Sequence, residues 1–514
     1  MLGERELWAL VDARANATPD ALLAVDERDR VLTFGDLRTR SELVAADLAL
    51  RGVSEGTRVA WQLPTSIDAI VLVGALARLG AVQVPLLPLY RERELTFILR
   101  QTSPHLVVAR TEWRGFAYAA TARSVLDALG LAAEVLAVDD GLAQRDPAGL
   151  PDAPSGEGDP LRWVFYTSGT TADPKGALHG DATIVAGSAG VAEAYAIDEH
   201  DRYPIVFPFT HIGGIGMLFI QLLTGCGAVA VEQFVADRTP ALLARHRITI
   251  AAGGTPLALV YLQQQRRDPR TPLFPELRAV MTGAAPKPPA LHAELRREMG
   301  GTGALACYGL TEAPFLTVSD VRDSDAQRAN TEGRAIGGAE LRIVDTKGGV
   351  CAPGVPGEIQ ARGPQICRGY LDAARNDEAF DNGWFRTGDL GALDADGYLV
   401  ITGRLKDVII RKGENIAAKE IEDVLFEFDA VAEIAVVGLP DPLLGERCCA
   451  VIVPRTGAAP FTLADVAQFC RTRGLAMQKT PEQLEVVDAL PRNTSGKVLK
   501  YQLVERFRTP AHPG

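Results

Sequence analysis

The sequence predicts an α/β protein built from two unequal domains. Helical and strand patterns alternate over the first third of the chain, which is the order typical of α/β folds. At 514 residues the chain is too long for a single hydrophobic core. A glycine turn with a dense charge cluster, Gly403-Arg404-Leu405-Lys406-Asp407, precedes a further apolar strand. We therefore expect a large domain over residues 1–405 and a small domain over residues 406–514.

The first elements follow from short apolar runs that are separated by glycine, proline and polar residues. They are a hairpin (Ala21–Glu27 and Val31–Phe34), an amphipathic helix (Leu37–Arg51), a strand (Arg58–Leu63), a helix (Ile67–Leu79) and a buried strand (Val82–Leu87). A linker rich in proline, glycine and aspartate, Asp146–Pro160, comes next. The run Ile212–Val231 is apolar but punctuated by glycines, which predicts a buried helix, a turn and a buried strand, with a membrane span as the alternative.

The bulk composition is that of an ordinary soluble globular protein. The net charge of −12 argues against nucleic acid as the main partner, because binding to a phosphate backbone needs a basic surface. The seven cysteines show no C-x-x-C pair and no zinc spacing, which predicts reduced and mostly buried thiols. Charged residues occupy the N-terminus where a signal peptide would have its apolar core, so we expect a cytoplasmic protein without a transmembrane segment.

The stretch Tyr166–Gly176 places four hydroxyl side chains and two glycines around one lysine, after the apolar run Trp163–Phe165. Hydroxyls and exposed backbone N–H groups can donate to several phosphate oxygens at once, and a lysine supplies a point charge. The stretch therefore predicts a phosphate cradle, although a flexible surface loop is the alternative and the spacing is not the Walker pattern. The cradle residues are Thr167, Ser168, Gly169, Thr170, Thr171 and Lys175.

Three apolar segments read as strands that end in glycines and small residues, which leaves room for a ligand at their carboxyl ends. They are Ile205–Phe209, Ile248–Thr255 and Ala279–Pro286. The first is followed by Thr210-His211-Ile212-Gly213-Gly214. His211 at this position is either a functional residue or a satisfied core histidine.

Three further motifs carry polar groups that suit a nucleotide. In Tyr308-Gly309-Leu310-Thr311-Glu312 the aromatic ring can stack on a purine, the threonine can donate to a phosphate and the glutamate can hold the Mg²⁺ that accompanies ATP. Asp389 can accept both ribose hydroxyls, although its Thr-Gly-Asp-Leu-Gly sequence can also be a simple turn. Lys497, in a Thr-Ser-Gly-Lys loop, is either a catalytic cation or a solvated surface lysine.

These motifs, in this order and over about residues 8 to 505, resemble the adenylate-forming superfamily of acyl-CoA synthetases, peptide-synthetase adenylation domains and beetle luciferases. The resemblance implies a large domain of paired α/β sheets with a β-rich subdomain, and a small mobile C-terminal α/β domain with its hinge at Lys406. Gly357–Gly363 and Arg368-Gly369-Tyr370 would belong to the β-rich subdomain in a structural role. The family usually has glycine where Ala172 stands, and Asp173 adds a negative charge beside the expected triphosphate.

The resemblance also assigns roles to individual residues of this chain. Catalysis would fall to Lys497, Glu312, Thr311 and His211, with Glu312 as the metal ligand. Besides the cradle, the ATP and AMP contacts would be Gly283, Ala284, Ala285, Tyr308, Gly309, Asp389 and Arg404. The acyl pocket would be lined by Phe209, His211, Gly213, Gly254, Gly283 and Phe315. The side that receives coenzyme A would contain Lys412, Gly413 and Glu414.

The implied activity is a two-step ligation that uses ATP, Mg²⁺, coenzyme A and a small carboxylic acid. The carboxylate and ATP give acyl-AMP and pyrophosphate, and the thiol of coenzyme A then takes the acyl group and releases AMP. The alternatives are a stand-alone enzyme that loads a separate carrier protein, a luciferase-like oxygenase and a nucleotide sensor without turnover. A fused carrier domain is not expected because only 17 residues follow Lys497, and both a monomer and a homodimer remain open.

The substrate is predicted from what the expected pocket segments lack. Their titratable groups are His211, Glu312 and Tyr308, so a second carboxylate would be buried without a cationic partner. Amino-acid adenylation domains place an aspartate in the segment that matches Phe209–Gly214, and this chain has none. We therefore expect an apolar aliphatic, alicyclic or aryl monocarboxylate of medium size. The resemblance of Leu87–Arg91 and Arg114–Tyr118 to ligases of ring-bearing acids favours a ring.

Overall fold

A computed structural model of the protein describes residues 4–139, 141–155, 157–167, 174–285, 287–411, 414–441, 444–493 and 496–508, without the side chains of residues 414, 415 and 478. The first segment alternates helices and strands as the sequence predicts. Its elements are α1 (Leu7–Ala17), β1 (Leu22–Asp26), β2 (Val31–Thr33), α2 (Phe34–Leu50), β3 (Arg58–Gln62), α3 (Ile67–Arg78), β4 (Val82–Pro85), α4 (Glu92–Thr102), β5 (Leu106–Ala109), α5 (Tyr118–Leu129) and β6 (Glu134–Ala137).

Side-chain caps explain where two of these helices begin. The Thr33 hydroxyl accepts the backbone N–H of Asp36 at 3.0 Å, and the Asp36 carboxylate accepts the N–H of Thr33 at 3.0 Å, which completes a capping box for α2. The Ser66 hydroxyl accepts the N–H of Ala69 at 3.2 Å and caps α3. Because α3 is apolar on nearly every face, it lies buried against α1 and α2.

The middle of the chain adds strands and helices up to residue 335. They are β7 (Trp163–Thr167), β8 (Lys175–His179), α6 (Asp181–Ala194), β9 (Arg202–Ile205), α7 (Ile212–Thr224), β10 (Gly227–Ala230), α8 (Thr239–Arg245), β11 (Ile250–Ala251), α9 (Gly254–Arg267), β12 (Ala279–Gly283), α10 (Pro289–Met299), β13 (Ala304–Leu310), β14 (Ala313–Val318), α11 (Asp325–Asn330) and β15 (Arg334–Ala335). A short 3-10 helix (Pro147–Gly149) lies in the linker before them.

Three sheets carry the α/β part of the large domain. Their strand orders are β6-β5-β3-β4-β7-β8, β2-β1-β10-β9 and β11-β12-β13-β14-β15. The inner strands are parallel, and antiparallel pairing is confined to β8, β2, β14 and β15 among the described strands of these sheets. Because parallel strands end at the same edge of a sheet, the loops after β11, β12 and β13 converge.

The rest of the chain forms the β-rich unit and the small domain. The β-rich unit contains β16 (Glu340–Val344), β17 (Gly357–Arg362), α12 (Asn376–Ala379), β18 (Phe380–Asp381), β19 (Trp384–Leu393) and β20 (Leu399–Arg404). The small domain contains β21 (Val408–Arg411), β22 (Glu414–Ala417), α13 (Ala418–Phe426), β23 (Val431–Asp441), β24 (Gly445–Pro454), α14 (Leu463–Thr472), β25 (Gln483–Val486) and α15 (Lys500–Phe507). Helices α13 and α14 cover one face of its sheet, and α15 covers the other. The expected large and small α/β domains are confirmed.

The prediction of a strand over Ile205–Phe209 is wrong, because β9 ends at Ile205. The physical reason is the Thr65 hydroxyl, which donates to the Phe207 carbonyl at 3.1 Å and accepts the N–H of Phe209 at 3.1 Å. These backbone groups are therefore bound to a side chain instead of a neighbouring strand, and Pro208 between them has no N–H to offer.

The apolar run Ile212–Val231 folds as the sequence predicts. Helix α7 is almost entirely buried and ends at Gly225, whose φ of +86° places it in the left-handed conformation that terminates helices. Strand β10 follows as an inner strand beside β1. None of the described helices combines the length and the apolar character that a membrane crossing requires.

Candidate active site

The carboxyl ends of β11, β12 and β13 bring the glycine-rich segments together. The Thr255 hydroxyl donates to the Ala285 carbonyl at 3.2 Å and accepts the N–H of Gly283 at 3.3 Å. Gly283 adopts a φ of +151°, and a Cβ there would overlap the carbonyl oxygen of Cys307. Ala284 follows with a φ of +59°. The segment Gly283-Ala284-Ala285, predicted to contact ATP and AMP, is thus held tightly against the next strand.

Asp389 is the buried centre of the predicted nucleotide site. Its carboxylate accepts the Tyr308 hydroxyl at 2.8 Å and pairs with the Arg404 guanidinium at 2.7 Å. Burial and the charge of Asp389 raise the pKa of Tyr308, so its hydroxyl remains a donor. Tyr308, Gly309, Asp389 and Arg404 line one cavity. Their individual contacts with a nucleotide stay predictions.

Lys497 reaches the same cavity from the small domain. The cavity has a volume of about 590 Å³, lies between the two domains, and is lined by Lys497, Asp389, Arg404 and Lys406 among others. Burial and the positive charges of Arg404 and Lys406 lower the pKa of Lys497 to about 7. A cation in this position is destabilised until an anion enters the cavity.

A network of hydrogen bonds places the Lys497 loop. The Asn493 side chain accepts the N–H of Lys497 at 2.9 Å, and the Asn493 N–H donates to the Lys497 carbonyl at 2.9 Å. The Arg492 guanidinium donates to the Gly496 carbonyl and to Glu433, the latter at 2.7 Å. Gly496 lies against the large domain, since a Cβ there would be 3.0 Å from Cγ of Pro256.

Lys175 and Glu312, the predicted phosphate and metal residues, both contact Tyr370. The Lys175 Nζ lies 5.2 Å from the centroid of the Tyr370 ring, and the Tyr370 hydroxyl donates to the Glu312 carboxylate at 2.7 Å. Lys175 begins β8 directly opposite Thr167, where β7 ends. The remaining cradle residues, Ser168, Gly169, Thr170 and Thr171, lie outside the described part of the chain together with Ala172 and Asp173.

Thr311 and Glu312 form the turn between β13 and β14, and two groups hold the backbone of this turn. Nε2 of His179 lies 2.9 Å from the Thr311 carbonyl oxygen, and the Cys367 N–H donates to the Glu312 carbonyl at 2.7 Å. Burial lowers the pKa of His179 to about 3, so the ring is neutral. Since a carbonyl can only accept, Nε2 carries the proton.

His211 is the N-cap of α7. Its Nδ1 accepts the N–H of Gly213 at 3.1 Å, and burial lowers the pKa of His211 to about 4. At neutral pH the ring is therefore uncharged, and the proton resides on Nε2. His211 is built as a hydrogen-bond donor and not as a cation.

Phe315 and Phe209, predicted to line the acyl pocket, lie at different depths. Phe315 has a left-handed backbone, with a φ of +53°, and its ring packs so closely on Gly216 of α7 that a Cβ at Gly216 would overlap it. Phe209 is fully buried and packs on Trp61 with ring centroids 6.2 Å apart. The Phe209 ring therefore belongs to the hydrophobic core of the large domain. Gly254 lies beside Gly283, whose carbonyl would be 2.8 Å from a Cβ at Gly254.

The segments compared with ligases of ring-bearing acids pack on each other. The Arg91 guanidinium lies 4.0 Å from the centroid of the Phe116 ring, and the Tyr118 hydroxyl donates to the Pro88 carbonyl at 2.7 Å. Tyr118 is only 2% exposed. These side chains are engaged in internal contacts, so they give no support to a ring-bearing substrate.

The expected hinge lies in a 3-10 turn, Leu405–Asp407, between β20 and β21. Burial and the positive charge of Arg404 lower the pKa of Lys406. On the side expected to receive coenzyme A, Lys412 and Gly413 lie outside the described residues, and Glu414 begins β22 opposite Arg411. The hinge and the thiol side stay predictions.

Within the described residues, no cluster of three or more His, Cys, Asp or Glu side chains is placed to hold a metal by protein ligands alone. The carboxylate of Glu312, which like Lys175 contacts Tyr370, nevertheless fits a Mg²⁺ that arrives with phosphate oxygens as its other ligands.

Sequence reasoning did not identify two of the residues that contact the site. Tyr370 was assigned a structural role, and His179 was not singled out. The available signals were weak: a tyrosine after an arginine-glycine pair, and a histidine at the end of a strand otherwise apolar after its first residue.

Comparison with known proteins gives the family. The AMP-binding enzyme family matches residues 11–371, and the AMP-binding enzyme C-terminal domain matches residues 420–497. The ATP-bound crystal structure of MatB from Rhodopseudomonas palustris superimposes with a TM-score of 0.87 at 28% identity, over 98% of this chain and 99% of that one.

Curated relatives are similar over nearly their full length. The medium-chain fatty-acid–CoA ligase of Escherichia coli (strain K12) is 31% identical, with 98% of this chain and 90% of the relative covered. A propanoyl:CoA ligase of Rhodococcus jostii (strain RHA1), named for a methyl-dioxo-octahydroindenyl substituent, is 34% identical, with 94% and 95% covered. The salicyl-AMP ligase / salicyl-S-ArCP synthetase of Mycobacterium tuberculosis (strain ATCC 25618 / H37Rv) is 33% identical, with 99% and 92% covered.

Three observations indicate the same family. They are the order of the motifs, the cavity shared by the two domains and these matches. The chain belongs to the AMP-binding enzyme family of the adenylate-forming superfamily.

Proposed function

We propose that the protein activates an apolar monocarboxylic acid of medium size as its acyl-adenylate and then transfers the acyl group to the thiol of coenzyme A. The observation that carries this proposal is the position of Lys497, which enters from the small domain the cavity that holds Asp389 and Arg404 of the large domain. A carboxylate oxygen attacks the α-phosphorus of ATP and expels pyrophosphate. The thiol sulfur then attacks the acyl carbon and expels AMP.

Asp389 is proposed to receive the ribose hydroxyls. Its carboxylate already accepts a hydrogen bond from Tyr308 and an ion pair from Arg404, which fix its orientation before a nucleotide arrives. The adenine would lie between Tyr308 and the segment Gly283-Ala284-Ala285, and the phosphates would extend toward Lys175. This arrangement supports a nucleotide oriented with its α-phosphate near Lys497.

Lys497 is proposed to bring the two anionic reactants together. At an effective dielectric of about 20, an ammonium about 4 Å from an anion is stabilised by about 4 kcal/mol, against about 1 kcal/mol in water. Arg404 and Lys406 add positive potential to the same cavity. His211 would donate its Nε2 proton to the acid carboxylate, since Nδ1 is occupied by the N–H of Gly213.

Glu312 would hold Mg²⁺ together with phosphate oxygens, and Thr311 would donate to a phosphate. Bound there, the metal supplies positive charge that offsets the charge of the triphosphate. The carbonyl contacts of the Thr311–Glu312 turn with His179 and Cys367 hold the backbone from which the Glu312 side chain extends. The site is thus prepared on the protein side before the nucleotide binds.

The thioester step is proposed to follow rotation of the small domain, residues 406–514, about Lys406. Lys406 lies in the short turn between the last strand of the large domain and the first strand of the small one. The segment Lys412-Gly413-Glu414 would then take the place of the Lys497 loop and admit the thiol.

Seven free cysteines support the expected cytoplasmic location.

A carrier protein is the second candidate acceptor, because the similar salicyl-AMP ligase is also named a salicyl-S-ArCP synthetase. The adenylation step would be identical in both cases. We therefore propose to measure AMP release from a panel of acids with no acceptor, with CoA and with a phosphopantetheinyl carrier protein. Faster release with CoA for hexanoate, octanoate, cyclohexanecarboxylate or benzoate supports the proposal, whereas acceleration by the carrier alone contradicts the CoA assignment.

A further inference from the structure

Tyr370 contacts both Lys175 and Glu312 and is 4% exposed. We propose that Tyr370 is a positioning residue that sets the Glu312 carboxylate relative to the Lys175 ammonium, so that Mg²⁺ and the triphosphate of ATP fit between them. This inference rests on the function proposed above and extends it to a residue for which the sequence predicted only a structural role.

The backbone of Tyr370 is fixed to the strand that carries Lys175. Tyr370 forms an antiparallel bridge with Ala177 of β8, and the N–H of the following Leu371 donates to the Gly176 carbonyl at 2.8 Å. The Tyr370 N–H also donates to the Asn376 side chain at 2.8 Å. The ring therefore keeps a constant position relative to β8 and to Lys175.

The hydroxyl of Tyr370 determines how Glu312 is oriented. It donates to Oε1 of Glu312 at 2.7 Å, so that Oε2 is the oxygen offered to a cation. The hydroxyl is the donor in this bond, because an ionised carboxylate can only accept. Without this bond, the Glu312 carboxylate is free to turn toward the Lys175 ammonium. The two groups would then neutralise each other, and both would be lost to Mg²⁺ and phosphate.

Two variants of the full-length protein separate this role from a structural one. Tyr370→Phe keeps the ring beside Lys175 and removes only the hydroxyl. Tyr398→Phe is the matched control, because the Tyr398 hydroxyl donates to a carboxylate oxygen of Asp323 at 2.6 Å and Tyr398 is likewise 4% exposed. Calorimetric titration with Mg²⁺·ATP and, separately, with AMP is carried out without acid, so that no turnover occurs.

Tyr370→Phe removes a hydrogen bond to a charged group. Because such bonds stabilise strongly, Mg²⁺·ATP binding should weaken about ten-fold or more. The affinity of Tyr370→Phe for AMP should be unchanged, because AMP does not reach the metal or Lys175. The control Tyr398→Phe should change neither the affinity for Mg²⁺·ATP nor the affinity for AMP. Unchanged Mg²⁺·ATP affinity, or an equal loss of AMP affinity, would overturn the positioning role. Failure of the unmodified protein to bind Mg²⁺·ATP would instead overturn the proposed function.

A double variant keeps the test decisive if Tyr370→Phe is unstable. Tyr370→Phe combined with Glu312→Gln leaves no carboxylate that has lost its hydrogen-bond donor, so it avoids the main cost of the single change. If Tyr370 acts through Glu312, the double variant should bind Mg²⁺·ATP as Glu312→Gln alone does. A further loss in the double variant would show that Tyr370 acts by another route.

Discussion

Raising the pH above 7 should lower kcat/KM for ATP, because Lys497 loses its proton in the free enzyme. The same change in pH should leave kcat, which reports the complex with bound substrates, unchanged. Burial and the charges of Arg404 and Lys406 lower the pKa of Lys497 from 10.5 to about 7. Lys497 therefore carries its ammonium charge below about pH 7 and loses it above that pH. Since adenylation needs the ammonium, kcat/KM for ATP should fall about ten-fold per pH unit above pH 7.

The magnitude of the shift explains why kcat should behave differently. A lowering from 10.5 to about 7 disfavours the ammonium by about 5 kcal/mol. A contact with bound ATP or carboxylate at about 4 Å returns about 4 kcal/mol. The bound anions therefore restore most of the lost pKa, and kcat should stay level to about pH 9.

Pyrophosphate exchange without CoA isolates the adenylation step. It should be measured between pH 5.5 and 9.5 at an acid concentration far below its KM, so that kcat/KM for ATP reports the free enzyme. Lys497→Arg keeps its charge at every pH and should lose the alkaline decline. Lys479→Ala, which removes a surface lysine paired with Glu420 at 2.7 Å, should retain it. His211 cannot cause the decline, because burial lowers its pKa to about 4.

A level kcat/KM between pH 6 and 9 would refute this reasoning, as would a decline that persists in Lys497→Arg. The same account limits Lys497 to the first half-reaction. Lys497→Ala should abolish formation of acyl-AMP but still convert supplied acyl-AMP to the thioester, and equal loss of both steps would contradict it.

Three further changes test other parts of the site. Lys406→Pro fixes φ at the proposed hinge and should slow thioester formation while pyrophosphate release survives; a parallel loss of both steps would place the hinge elsewhere. Asp389→Asn removes a negative charge that raises the pKa of Lys497, so the alkaline decline should move to lower pH and KM for ATP should rise, whereas an unchanged profile would show that the two groups do not interact. Gly216→Ala should push the Phe315 ring into the acyl pocket and lower the ratio of kcat/KM for octanoate over butanoate by about ten-fold, and an unchanged ratio would remove Phe315 from the pocket wall.

The fold class and the order of the sites were predictable because both depend on local patterns. The amphipathic pattern of α2, the apolar run of α3 and the glycines around α7 and β10 predict those elements without knowledge of distant contacts. The prediction of a strand at Ile205–Phe209 was wrong because this segment depends on a contact that is distant in sequence. Thr65, more than a hundred residues earlier, binds the backbone at Phe207 and Phe209, and no local pattern reveals such a contact.

In the site as well, residues within motifs were predictable and long-range contacts were not. Tyr308, Asp389, Arg404 and Lys497 were predicted from motifs, and the structure brings them to one cavity. The hydrogen bond of Tyr370 to Glu312 joins residues 58 positions apart and belongs to no motif that we could interpret, so only the folded chain reveals it.

The central claim, that the acid is activated as an acyl-adenylate, is tested most directly by an isotope label. Octanoate carrying ¹⁸O in both carboxylate oxygens should be incubated with the enzyme, ATP, Mg²⁺ and CoA, and the AMP formed should be analysed by mass spectrometry. Attack of the carboxylate on the α-phosphorus predicts one ¹⁸O atom in each AMP and one in each acyl-CoA. AMP without the label, or ADP as the nucleotide product, would contradict the account.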